Sequence, residues 1–171
     1  MRRIAVAAIG ILAAFPCHLA FAGDVVSGRP SVLDGDTLRI RGTVVGLHGI
    51  AAPGLSQRCE SATGESVACG ATAARALAER IGEANVSCEL RGIDASRRTI
   101  AVCRVGDEDL SAWMVANGLA VADRLKTADY DAQSAKAWAK RRGLWAGVFE
   151  DPSERKREDY AAKVQISALV K

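Results

Sequence analysis

Beyond its first 22 residues, the 171-residue sequence offers no apolar run long enough to cross a membrane, no internal repeat and no low-complexity segment. It has no C-x2-C pair of the kind tetrahedral zinc sites use, so its cysteines do not read as metal ligands. It has no surplus of charge either. Lys and Arg number 23 against 20 Asp and Glu, and setting aside Arg2 and Arg3 leaves 21 against 20. A near-neutral chain carries no electrostatic case for tight nucleic-acid binding. Histidine is scarce as well: once His18 is set aside with the leader, only His48 remains.

What is present begins with a leader. Arg2 and Arg3 form a charged start, Ile4 to Phe15 is apolar, and Ala20-Phe21-Ala22 offers small residues for cleavage before Gly23. That is the pattern of a secretory signal peptide. Pro16 breaks the run short of the roughly 20 residues a spanning helix needs, so no stable membrane anchor is expected. Residues 1–22 are therefore read as a signal peptide, 23–150 as one domain and 151–171 as a charged tail. The expected destination is the periplasm or the exterior.

Four cysteines remain, an even count that favours disulfides in an exported protein. "NVSCEL" and "TIAVCRV" read as two strands around "RGIDASRR". A turn centred between Ala95 and Ser96 sets Cys88 opposite Cys103, and Cys59 then pairs with Cys69 across the loop of residues 51–69.

Strands are expected at 25–33, 37–41, 43–50, 86–90 and 99–105, and helices at 70–81, 109–117 and 129–142. Trp113, Trp138 and Trp145 sit in or beside those helices and are expected in the core. From Pro152 the composition turns highly charged and ends in "ISALVK", a loosely docked helix or a mobile end. Short hairpin-linked strands mixed with three helices make an α+β domain on a small barrel.

The segments "VLDGDTLRIRGTVVGLHGIAAPGLSQRC", "ACGATAARALAERIG", "SRRTIAVCRV", "DLSAWMVANGLAVA" and "AKRRGLWAG" occur in the order found in the staphylococcal-nuclease-like (thermonuclease) family. The chain resembles that family over roughly residues 25–148. The resemblance implies an OB-fold, a five-stranded Greek-key β-barrel with three α-helices. It also implies the activity of the family's enzymes, calcium-dependent phosphodiesterases that cut DNA and RNA.

That chemistry has requirements. A hard cation wants several oxygen ligands, an attacking water wants a carboxylate beside it, and the phosphoryl transition state wants fixed positive charge. By the resemblance, one calcium ligand falls on Asp36 of "DGDT" and one arginine on Arg98. Aligned on Pro53, the family's other arginine falls on Gly46, its second metal-binding Asp on Ala51, and the Glu serving the water on Gly54. Two groups remain and three are replaced by side chains that cannot do the work. Asp36 and Arg98 are thus vestigial candidates for metal and catalytic roles. A turn-shaping role for Asp34 and Asp36, and a solvated hairpin role for Arg98, stay open beside it.

Two functions follow. One is a non-catalytic binding or scaffold protein of the cell envelope, with no cofactor and a nucleic acid or glycan as partner. Proteins of exopolysaccharide (succinoglycan) biosynthesis resemble the same domain, which implies a polysaccharide by analogy. The other is a calcium-dependent nuclease with a site rebuilt from Asp36, Arg98 and some of Glu60, Glu65, His48 and Arg41. A monomer is expected in either case.

Overall fold

The computed structural model describes residues 24–169, so the signal peptide read at 1–22 lies outside the described residues. The single strand expected over 25–33 is two, β1 (Val25–Gly28) and β2 (Pro30–Asp34). Pro30 fixes its own φ and has no N–H to donate, which interrupts the strand at Arg29. Next come β3 (Thr37–Ile40), β4 (Thr43–Leu47) and the short β5 (Ile50–Ala51). The loop after it holds a small hairpin, β6 (Cys59–Glu60) with β7 (Ser66–Val67), which leads into α1 (Cys69–Ile81). A long hairpin of β8 (Val86–Ile93) and β9 (Thr99–Val105) follows. The chain continues through β10 (Glu108–Asp109), α2 (Leu110–Ala116), β11 (Val121–Ala122) and α3 (Asp131–Ala139). A 3-10 turn (Gly143–Ala146) then precedes α4 (Pro152–Leu169).

The main sheet runs β1-β8-β9-β4-β3-β2, with β10 beside β9. Only β4 and β9 are parallel; the other neighbours are antiparallel. Its two edge strands are consecutive pieces of one segment, so the covalent link at Arg29 joins the ends of the curled sheet. The α+β class and the OB-like arrangement match the expectation. Two details do not. Among the described residues no hydrogen-bonded ladder closes the barrel, because the first segment is divided between two partners. The described residues also form four α-helices rather than three, because the tail is helical.

Signals for that fourth helix were present. Asp151 accepts a 2.7 Å hydrogen bond from the N–H of Ser153, and Pro152 stands at the first helical position, where its missing N–H costs nothing.

The strands and helices enclose one core. Leu38, Ile40, Val45 and Leu47 point inward from β3 and β4, and Ala73, Leu77 and Ile81 meet them from α1. Leu110, Met114 and Val115 of α2 close the far side, where Asp109 caps the helix by accepting from the N–H of Ala112. A smaller cluster of Ala51, Cys59, Val121 and Leu144 holds the 51–69 loop against the body. The three tryptophans divide. Trp113 packs against the core, Trp145 against the smaller cluster, and Trp138 is 66% exposed, against the expectation of burial. It is Ser134 and Ala137 of α3 that are buried instead. No helix among the described residues is long and apolar enough to cross a membrane.

Both expected disulfides are formed, Cys59–Cys69 and Cys88–Cys103. Cys88 and Cys103 are direct cross-strand partners, and both are fully buried. Their separation of 15 residues sets the loop-closure entropy the bond removes from the unfolded chain. A Cys88→Ala/Cys103→Ala variant is therefore expected to lose about 3 kcal/mol of unfolding free energy. Urea titration followed by far-UV circular dichroism checks this, and an unchanged midpoint would refute it.

Candidate functional site

The turn Asp34-Gly35-Asp36 joins β2 to β3 and is wedged between the Ala51-Ala52-Pro53 corner and α1. A Cβ on Gly35 would come within 2.6 Å of the Ala52 methyl and 2.9 Å of the Ala73 methyl, so only glycine lets the turn approach this closely. Asp34 shapes the turn by accepting from the N–H of Asp36 at 2.9 Å, as an Asx turn does. That contact orients the next carboxylate inward. Asp36 is only 1% exposed.

A buried carboxylate needs partners for every lone pair, and Asp36 has them. Its Oδ2 accepts from the Ala52 N–H at 2.7 Å and from Lys156 Nζ of α4 at 2.5 Å. Its Oδ1 accepts from Thr37 Oγ1 at 3.1 Å and from Arg98 Nη1 at 3.4 Å. Arg98 Nη1 also donates to Thr37 Oγ1 at 2.6 Å. Burial works against the charge on Asp36, but the Lys156 ammonium and the Arg98 guanidinium outweigh it and hold its pKa below the ordinary carboxylate value. Asp34 moves the other way. Its own burial, and then the negative charge of Asp36, raise it.

Arg98 is delivered by the hairpin tip. The expected symmetric turn does not form, because a bulge between Leu90 and Gly92 shifts the register by one. Asp94 then faces Arg98: its Oδ1 accepts from the N–H groups of Ser96 and Arg98, both at 2.9 Å, and its Oδ2 accepts from Arg98 Nε at 3.0 Å. The guanidinium is thus fixed at both ends. Burial disfavours its charge, but Asp36 and Asp94 together raise its pKa. Arg98 is a partner of the buried carboxylate, not a freely solvated hairpin residue.

The parallel pairing of β4 with β9 puts Gly46 beside Ile100. A Cβ on Gly46 would lie 2.8 Å from the Arg98 guanidinium carbon and 2.8 Å from Ile100 Cδ1. The space a side chain at 46 needs is occupied by Arg98. Ala51 is buried and carries no oxygen toward the turn, while Gly54 borders open space.

The candidates named as compensation do not assemble. His48 turns to Asp129 at 3.4 Å and sets its ring edge-on to Tyr130. Glu60 pairs its backbone with Val148, and Glu65 receives Thr63 in an exposed loop. Arg41 sits at φ 48° in the turn after β3.

The compensating group lies where sequence reasoning did not look. α4 crosses the site and sets Lys156 on Asp36, while its neighbour Arg157 faces the buried Asp123 at 3.7 Å. Lys126 also reaches Asp123, at 3.0 Å. Between α4 and the sheet lies a cleft of about 490 Å³, bounded by the Asp34 turn, Ala51, the 94–98 hairpin tip, Asp123 and the first three turns of α4. An i,i+4 charge pattern can flag a helix, but no local pattern pairs residue 156 with residue 36.

A calcium ion does not fit this donor set. Among the described residues, no three His, Cys, Asp or Glu side chains converge as a metal needs. The Asp36 carboxylate has both oxygens engaged, and an ammonium already sits on Oδ2.

Comparison with known proteins follows the same outline. Residues 44–147 match the family model described as staphylococcal nuclease homologue. A protein of Rhizobium meliloti (strain 1021), described as succinoglycan biosynthesis protein ExoI, is 34% identical over 106 residues. The match covers 61% of this chain and 56% of that relative, so the chain spans little more than half its length.

The Lys156–Asp36 pair predicts a pH signature. Because the folded pKa of Asp36 is depressed, its contribution is fully present above about pH 4 and fades as the pH falls through the lower folded value. The raised pKa of Asp34 gives an opposing slope, since deprotonating it in the folded state costs stability as the pH rises past about 4. Lys156→Met should cost roughly 1–3 kcal/mol, less than for a fully buried pair because the lysine is a third exposed. It should also move acid unfolding to higher pH. Adding Asp36→Asn to Lys156→Met should recover part of the loss, because no bare charge is left in the interior. Urea melts at pH 7 and an acid titration of the three proteins check this; equal acid midpoints would refute it.

Proposed function

This chain belongs to the staphylococcal nuclease homologue family, and we propose that it uses the family's fold as a non-catalytic binding module in making a cell-surface polysaccharide. The observation that carries the first half is the Lys156 ammonium on Asp36, at the position where the resemblance expects a calcium ligand. A metal would have to displace a bonded ammonium and then find its other ligands where Ala51 stands. The groups that would stabilise a phosphoryl transition state and activate a water are likewise missing at Gly46 and Gly54. Arg98, the arginine that remains, is committed to Asp36, Thr37 and Asp94.

The second half is supported by the relative whose name is succinoglycan biosynthesis protein. OB-type barrels hold oligosaccharides as readily as oligonucleotides, and a net charge near zero suits the former better. On this reading residues 1–22 direct export, and the two disulfides suit the oxidising periplasm or exterior. The tail from residue 151 seals the old site and belongs to the working domain.

Two measurements test the halves separately. Calcium titration by calorimetry should give no saturable heat below about 1 mM, the weak end of protein calcium sites. DNA and RNA zymograms with calcium, magnesium or manganese should show no clearing. Cleavage that disappears in both Asp36→Ala and Arg98→Ala would establish a rebuilt nuclease instead. For the second half, native electrophoresis in gels cast with succinoglycan should slow the protein relative to a plain gel.

A further inference from the structure

The most open large aromatic of the body lies away from the Asp36 cleft. Trp138, on α3, borders a groove of about 420 Å³ that shares no lining residue with that cleft. Trp145 lines the same groove. Its ring is held edge-on against Phe149, with centroids 5.1 Å apart and planes at 86°. Its indole N–H is buried, without an acceptor among the described residues, and offers the groove no donor. Arg124 and Asp151 complete the polar rim. Arg124 spends Nε on Asp131 at 2.9 Å, and its charge is thereby offset.

This combination selects a ligand class. A tryptophan kept 66% open beside a concave surface is a site for something flat and partly apolar. A pyranose presents that surface: its axial C–H bonds form an apolar face and its hydroxyls, around the edge, both donate and accept. Trp138 supplies a plane for the face, the Arg124 guanidinium supplies donors, and Asp151 supplies an acceptor. A nucleic-acid strand would want net positive charge, and the groove's lining sets one Arg124, itself paired with Asp131, against one Asp151. A protein partner would want a broader apolar patch than the exposed Trp138 provides. We propose that this groove is a saccharide subsite, with Trp138 as the platform under one ring of a polysaccharide chain. The assignment rests on the polysaccharide reading above and locates it on the molecule.

The test uses the full chain in native gels containing succinoglycan or a neutral β-glucan, with tryptophan fluorescence titration against the same polymers. Trp138→Ala should weaken binding at least tenfold, Trp138→Tyr should keep part of it, and Leu125→Ala should bind as the wild type does. Because Trp138 is mostly solvated, the melting curve of Trp138→Ala should match the wild type, which separates lost binding from lost fold. Undiminished binding by Trp138→Ala would overturn the subsite and leave the polysaccharide reading standing. Failure of the wild type to bind either polymer would overturn both. Self-association that Trp138→Ala abolishes, without glycan binding, would reassign the tryptophan to a contact between protein chains.

Discussion

One buried charge organises this domain. Asp36 is held inside by a turn that has no room for a side chain at Gly35, and an ionised carboxylate in that position cannot be left alone. Everything around it answers that demand. Thr37 and the Ala52 N–H supply neutral donors, Arg98 comes from the hairpin tip, and Lys156 comes from a helix 120 residues further on. In a metal-dependent relative of the same shape, a cation would meet this charge from solution. Here the chain supplies the cation itself.

The missing family residues look like independent losses in the sequence and like one rearrangement in the structure. Arg98 leans into the volume that a side chain at 46 would occupy, so an arginine there and the present pose of Arg98 exclude each other. Without an acid at 51, Asp36 is met by one ammonium and one guanidinium, while the nearby Asp123 has Lys126 and Arg157 of its own. A family residue at 46 or 51 would therefore disturb the present arrangement, whereas position 54 borders open space. An acid at 51 would add a second buried charge, and an arginine at 46 would collide with the first arginine.

Much of this was legible beforehand, and the reasons are local. The partnership of Cys88 with Cys103 follows from where two strands meet a turn, and it survives the bulge because the shift falls between the cysteines and the tip. Inward alternation along β3 and the apolar face of α1 likewise belong to residues close together in the chain. What was not legible depends on distance. Nothing near "SERKRED" says that its lysine answers an aspartate on another element. Pro30 and the Asp151-Pro152-Ser153 start are different. They are local signals, and they bring the division of the first strand and the fourth helix within reach of sequence alone. Trp138 marks the limit of periodicity, since helical spacing gives a face but does not say whether anything covers it.

The placement of Lys156 also has a consequence for timing. A chain is made from its N-terminus, and both disulfide loops, every described strand and helices α1 to α3 precede the residue that neutralises Asp36. Until α4 arrives, the barrel can close only around a carboxylate that keeps its proton or leans on Arg98 alone. α4, made after all of these, is thus the helix that lets the hairpin of β2 and β3 ionise, and a turn made early waits for a residue made late.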